Sequence, residues 1–215
     1  LLLEAVVTVL AEIRLAADPA AWADCGFTVE RAVDGTATCT IGLVRLVFVD
    51  IGDGPAGIRS LGLAGGPEPL PADVDGLPLH EADPPAAPGT HPNGAIAIDH
   101  VAVLTADLDR TVDAVVDRLG IPLKRIREAG TVRQAFFRLG APILELVRAP
   151  EVEVPTLWGL VASLTDFDAA VGTLGDRLTD VKDAVQPGRR IATVRTDVGL
   201  GTAVALMSPH VRVPG

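Results

Sequence analysis

Two stretches of the chain, offset by 59 residues, run through the same order of elements, and this repeat limits the fold more than any other feature. In the first, Ala97 to Leu104 (AIDHVAVL) reads as a strand, rich in β-branched and small apolar residues. Asp107 follows as a helix N-cap, Leu108, Val112, Val115, Val116 and Leu119 recur at helical spacing, and Gly120 closes the helix. Three extended segments come next, Leu123 to Arg127, Arg133 to Leu139 and Ile143 to Val147, with Gly130 and Gly140 as turn residues between them. In the second stretch, Leu157 to Leu164 is the strand, and Asp166 caps a helix carrying Phe167, Val171, Leu174 and Leu178 on one face. Val181 to Val185, Arg190 to Thr196 and Thr202 to Met207 complete it. Asp107, Asp109, Val112, Asp117, Arg118 and Leu119 return as Asp166, Asp168, Val171, Asp176, Arg177 and Leu178. A period of about 60 residues is too long for most solenoids. Two small sheets, each unable to bury its own face, predict instead an α+β fold in which two βαβββ units pair around a curved sheet.

A more worn copy opens the chain. Glu12 to Ala16 is its strand, Asp18-Pro19 its helix start, Ala20 to Asp24 its helix, and Phe27 to Arg31, Thr36 to Ile41 and Leu43 to Asp50 its remaining strands. Ile58 to Leu63 could begin a fourth copy, but no helix and no strand triplet is legible after it. The expected division is a degenerate N-terminal βαβββ unit over residues 1–65 and a Gly/Pro-rich linker or truncated unit over 66–94. A paired domain over 95–215 follows, its units at 96–150 and 155–209.

Composition removes several function classes. Of the 215 residues 28 are acidic and 18 basic, a net charge of −10, which argues against a nucleic-acid partner because a phosphate backbone needs clustered cations. No run of about 18 uncharged apolar residues exists to span a membrane. Cys25 and Cys39 are too few for a disulfide scaffold or a cysteine zinc site and read as buried, reduced thiols. The opening LLLEAVVTVLAEI lacks a basic start and carries Glu4 and Glu12, so it is taken as strand rather than signal peptide, and a cytoplasmic location is expected. There is no G-x-S-x-G, no phosphate-binding glycine loop with lysine, and no dinucleotide fingerprint.

The repeated units, with IDHVAVLTADLD opening one and ILELV closing it, resemble the vicinal oxygen chelate superfamily. That group includes glyoxalase I, extradiol dioxygenases, fosfomycin-resistance thiol transferases and bleomycin-binding proteins. The resemblance covers residues 96 to 209 well and 11 to 50 weakly. It implies a cup-shaped pair of units in which, among metal-dependent members, a histidine on the first strand and a glutamate on the last face a divalent ion.

His100 and Glu145 fall on those positions. By alternation Ile98, His100, Ala102 and Leu104 share one face, as do Ile143, Glu145 and Val147. A histidine and a carboxylate among apolar neighbours are costly unless paired with each other, a metal or a ligand. In the second unit Gly159 and Ala205 stand at the matching positions, and in the N-terminal unit Ala11 and Val47, so no polar site is expected there. A zinc or nickel ion normally takes three or more protein ligands. Glu12, His80, His91 and His210 could supply a third, as could a homodimer partner, but each has a plainer reading: water-facing, in an acidic loop, in a linker, on the tail. Trp158 and Phe136 are candidate pocket-wall residues. Phe137 is the other candidate, and because alternation puts it on the opposite face from Phe136, at most one of the two lines the cup.

Two functions follow. The first is a small-molecule-binding protein of this superfamily with an incomplete metal site, whose His100 and Glu145 anchor a ligand. Its divalent ion (zinc, nickel, iron or manganese) is weakly bound or absent. The second is a metal-dependent enzyme of the glyoxalase or dioxygenase kind acting on vicinal oxygens, with His100 and Glu145 as metal ligands and Glu145 as the candidate catalytic residue.

Overall fold

The computed structural model describes residues 7–209, which form two mixed sheets with three α-helices. The opening residues 1–6 and the tail histidine His210 lie outside the described residues. The chain starts with β1 (Val9–Ala16), α1 (Pro19–Asp24), β2 (Glu30–Arg31), β3 (Ala37–Ile41) and β4 (Val44–Val49), then β5 (Gly57–Ala64), β6 (Asp73–Val74) and β7 (Leu77–Glu81). These strands make a seven-stranded sheet in the order β2-β3-β4-β1-β5-β7-β6. Residues 66–94 thus carry two strands as well as loop.

The second half runs β8 (Ala95–Thr105), α2 (Leu108–Leu119), β9 (Arg125–Ala129), β10 (Val132–Arg138) and β11 (Ile143–Arg148). It then repeats as β12 (Thr156–Leu164), α3 (Phe167–Leu174), β13 (Lys182–Asp183), β14 (Arg190–Thr193) and β15 (Ala203–Met207). Its eight strands lie in the order β13-β14-β15-β12-β8-β11-β10-β9. The caps are local: the Asp18, Asp107 and Asp166 carboxylates accept from the N–H groups of Ala20, Arg110 and Ala169, and Gly120 ends α2 in the left-handed region. Val181 to Val185, expected as a full strand, pairs only at Lys182 and Asp183.

The repeat is also a symmetry of the pairing. β8 and β12 run antiparallel where the units meet, with Val101 opposite Leu160, Ala102 opposite Gly159 and His100 opposite Val161. A shift of 59 residues carries these pairs onto themselves, which places a pseudo-dyad between Val101 and Leu160. The first sheet has its own dyad, because Ile13 pairs with Leu61, Glu12 with Gly62 and Arg14 with Ser60, a shift of 48. The strand over Ile58 to Leu63 therefore pairs with β1 as β12 pairs with β8, and it runs parallel to β7 with no helix between them.

Each first strand has an extra, unpaired residue beside its dyad: Ala11, Arg59, Asp99 and Trp158. A bulge of this kind shifts the inward-outward alternation by one residue. Ile98, expected on the face of His100, is therefore only 2% exposed in the core with Val101 and Val103, while His100 turns to the other side. The same slip makes Glu12, not Ala11, the N-terminal counterpart of His100.

One continuous core takes in both sheets and all three helices, with Ile13, Leu46 and Leu61 from the first sheet meeting Val101, Leu146 and Leu160 from the second. Trp22 of α1 is fully buried there and donates its indole N–H to the Leu200 carbonyl at 3.1 Å. Among the described residues no helix is long and apolar enough to cross a membrane.

Candidate functional site

The face of the eight-stranded sheet turned away from that core curves around a cavity of about 810 Å³. His100 of β8, Phe136 of β10, and Ile143 and Glu145 of β11 line its floor. The register explains the convergence: β8 and β11 are parallel with His100 beside Ile143, and Phe136 of β10 lies opposite Glu145. His100 and Glu145 are thus diagonal neighbours, and Nε2 of the imidazole comes to 3.2 Å from a Glu145 oxygen.

The pair is the middle of a longer polar chain. Asp99, the bulge residue, reaches Nδ1 of His100 at 3.0 Å. The other oxygen of Asp99 accepts from Arg189 at 2.6 Å and from the Ser163 hydroxyl at 3.1 Å. Arg189 is 2% exposed and also donates to the Ser208 carbonyl at 2.8 Å and to Ser163 at 2.8 Å. On the far side, the Gln134 amide donates to Glu145, and Arg127 donates to the Gln134 carbonyl oxygen at 2.8 Å.

These neighbours push the two carboxyls apart. Burial raises the Glu145 carboxyl above its ordinary value, only partly opposed by the charges of His100 and Arg127. Burial would also raise Asp99, but hydrogen bonds from His100 and Arg189 outweigh it and hold that group well below the carboxylate range. Asp99 therefore fixes the ring and keeps a proton on Nδ1, which leaves Nε2 to share a proton with Glu145. The arrangement can give or take a proton at the cavity floor.

The expected site residues divide. His100, Glu145 and Phe136 meet at one floor, and Phe137 is fully buried. Trp158 is 53% exposed and is not among the residues lining the cavity, because the bulge sets it outside the alternation. The second unit adds apolar wall, Ile191 and Met207, where Val161 and Ala205 also pack. Gly159, the dyad mate of His100, has no room for a side chain. A Cβ there would stand 2.4 Å from the Ala203 carbonyl oxygen.

A divalent ion would find His100 and Glu145 as donors, and Asp99 orients the histidine as an outer carboxylate does at metal sites. Two donors fall short of the three or more that tight zinc or nickel binding uses. Among the described residues no group of three histidine, cysteine or acidic side chains is placed to hold a metal. The donor set does not fit a tightly resident metal. His91 is used elsewhere: its Nδ1 accepts from the Thr28 N–H at 3.0 Å and its Nε2 donates to the Thr40 carbonyl at 2.9 Å.

Glu12 and His80, named from the sequence only as possible third ligands, form a buried polar cluster of their own. Glu12, expected to face water, is 7% exposed, and His80, expected in a loop, lies on β7. One Glu12 oxygen accepts two bonds from Arg45, at 3.0 and 2.8 Å, and the other lies 3.0 Å from His80, whose second nitrogen meets Ser60 at 3.0 Å. Gly62 makes this possible, since a Cβ there would come within 2.7 Å of both Glu12 and His80. The N-terminal sheet thus holds a polar cluster where none was expected. A polar residue at the dyad-adjacent position of two strands was the available signal, hidden by the bulge.

No family model matches the sequence, and no curated protein matches it significantly. Among solved structures, the chain is similar to 2,2',3-trihydroxybiphenyl 1,2-dioxygenase from Sphingomonas wittichii, at 18% identity and a TM-score of 0.63, covering 94% of this chain and 91% of that one. It also matches methylmalonyl-CoA epimerase from Mycobacterium tuberculosis, at 20% identity and a TM-score of 0.48, over 55% of this chain and 91% of that one. The near-complete overlap with the dioxygenase agrees with the paired βαβββ units and their two dyads. The protein has the α+β cup fold of the vicinal oxygen chelate superfamily.

Proposed function

We propose that the cup of the C-terminal paired domain binds a small organic molecule, held directly by His100 and Glu145 and packed against Phe136, without a resident divalent ion. One observation carries this reading: a histidine and a glutamate, linked at 3.2 Å, form the floor of a cavity large enough for a ligand and lie beside Phe136 and Ile143. Burying such a pair costs free energy even with Asp99 and Gln134 bonded to it, and a ligand contact offsets part of that cost. The proton shared at Nε2 suits a ligand that offers an oxygen or a weakly acidic C–H there. Two buried, unpaired cysteines suit a reducing compartment, and the cytoplasm is the proposed location.

A screen of dicarbonyl–thiol adducts, catechols and planar drugs, read by thermal shift, tests the reading. A hit should lose its effect in Glu145→Leu and in His100→Ala while both variants stay folded. Unchanged binding in both would refute the site. Elemental analysis after dialysis against a weak chelator should find well under one equivalent of zinc, nickel, iron or manganese per chain. A full equivalent that disappears in His100→Ala would restore the metal-dependent reading.

A further inference from the structure

The walls of the cavity are unlike the rest of the molecule. The chain carries 28 acidic and 18 basic side chains, yet Lys124, Arg125, Arg127 and Arg138 all line the same side of the cup, on β9 and β10 and the turn before them. The acidic groups that line it are Glu145 on the floor and Asp183 on the opposite wall. None of the four cations has an ion-pair partner among the described residues. Arg127 donates to the neutral Gln134 side chain at 2.8 Å and Arg138 to the Ala141 carbonyl at 3.0 Å. In the same unit Arg133 pairs with Asp109 and Glu128, Arg110 with Asp75 and Arg118 with Asp73.

We infer that the ligand of this cup is an organic anion, a carboxylate or a phosphate ester. Its charge lies against the Lys124–Arg138 wall, and its uncharged part reaches Phe136 and the His100–Glu145 floor. This rests on the cup being the binding site. Four unpaired cations around a concave, partly apolar space focus a positive potential that raises the local concentration of anions. Three of them are arginines, whose forked donors match carboxylate and phosphate oxygens. Charge on the edge strand β9 also discourages strand addition, but either sign and either face would serve that purpose. The concentration of one sign at the cavity mouth of an acidic protein is what the ligand explains. The opposite wall carries Val185, Ile191 and Met207 with one acidic group, Asp183, and no cation among the described residues, which sets the direction of the bound molecule.

The test compares four probes that share a phenyl ring and differ in headgroup: 3-phenylpropanoate, phenyl phosphate, 3-phenylpropanamide and 3-phenylpropylamine, titrated by calorimetry into the wild type and into Lys124→Gln/Arg125→Gln. Both residues are exposed, so the double variant should fold normally, as a thermal melt will verify. At low salt at least one anion should bind ten-fold or more tighter than the amide and the amine. That preference should shrink several-fold between 0.05 and 0.5 M NaCl and fall about ten-fold in the double variant. Carboxylate and phosphate arms tell which headgroup the wall prefers. If the amide binds as well as the anions, and binding is lost in Glu145→Leu but not in the double variant, the anion inference fails and the cup reading stands. If no probe binds at millimolar concentration, the inference fails together with the cup as a site for molecules of this size.

Discussion

Replacing Arg189 by methionine should be among the most damaging single changes in the protein, although it lies outside the cavity. Its guanidinium is 2% exposed and bonds Asp99, Ser163 and the Ser208 carbonyl. Methionine fills much of the volume but leaves the Asp99 carboxylate, itself largely buried, without the guanidinium that bonds it at 2.6 Å. Breaking one side of a buried ion pair costs about 3–5 kcal/mol. For a chain of this length that converts to a fall in Tm of roughly 6–20 °C. Asp99 is held below its ordinary pKa when folded, so its contribution is present above the unfolded value near 4 and is lost as pH falls through the folded one. The deficit of Arg189→Met should therefore be largest at neutral pH and narrow towards pH 4, where the orphaned carboxyl takes a proton. Adding Asp99→Asn removes the orphan charge and should recover more than half the loss. Urea melts of the wild type, both single variants and the double variant, at pH 7 and pH 4, measure all of these terms. A loss under about 1 kcal/mol, or a double variant no better than Arg189→Met, would refute the view that Arg189 serves to neutralise Asp99 beneath His100.

Three further outcomes are expected. Glu145 is raised by burial, so its stabilising contribution is complete below the unfolded value near 4 and is lost as pH rises through the folded one. Glu145→Leu should accordingly melt at or above the wild type at pH 7 and lose that advantage at pH 4, as thermal melts at the two pH values will show. Gly159→Ala should destabilise by about 1–3 kcal/mol, since the Ala203 carbonyl 2.4 Å from the new Cβ is backbone of the neighbouring strand and cannot simply rotate away. Gly159→His should be no milder and should not create a metal site, checked by urea melts and zinc titration. Cys39, whose thiol burial pushes up to about 12, and the buried Cys25 should react with a thiol reagent only when the protein unfolds, giving two equivalents in guanidinium and almost none in buffer.

What the sequence determined by itself is the local grammar of the fold. Helix starts at Asp18, Asp107 and Asp166 and the stop at Gly120 depend on groups within a few residues, so they can be read directly. The 59-residue repeat is equally local, unit by unit, and it led to the paired βαβββ architecture, while the family resemblance pointed to His100 and Glu145, which lie 3.2 Å apart. Only the tertiary structure decided where the alternation slips. The bulges at Ala11, Asp99 and Trp158 arise from pairing with another strand, and each flips side chains that a strict period of two assigns to the wrong face. That slip concealed the burial of Glu12, sent Ile98 to the core and left Trp158 off the cavity wall. Distance in sequence hid the remainder. Asp99 meets Arg189 across 90 residues and Glu12 meets His80 across 68, and their burial, which makes these contacts energetically large, exists only once two sheets have closed over one core.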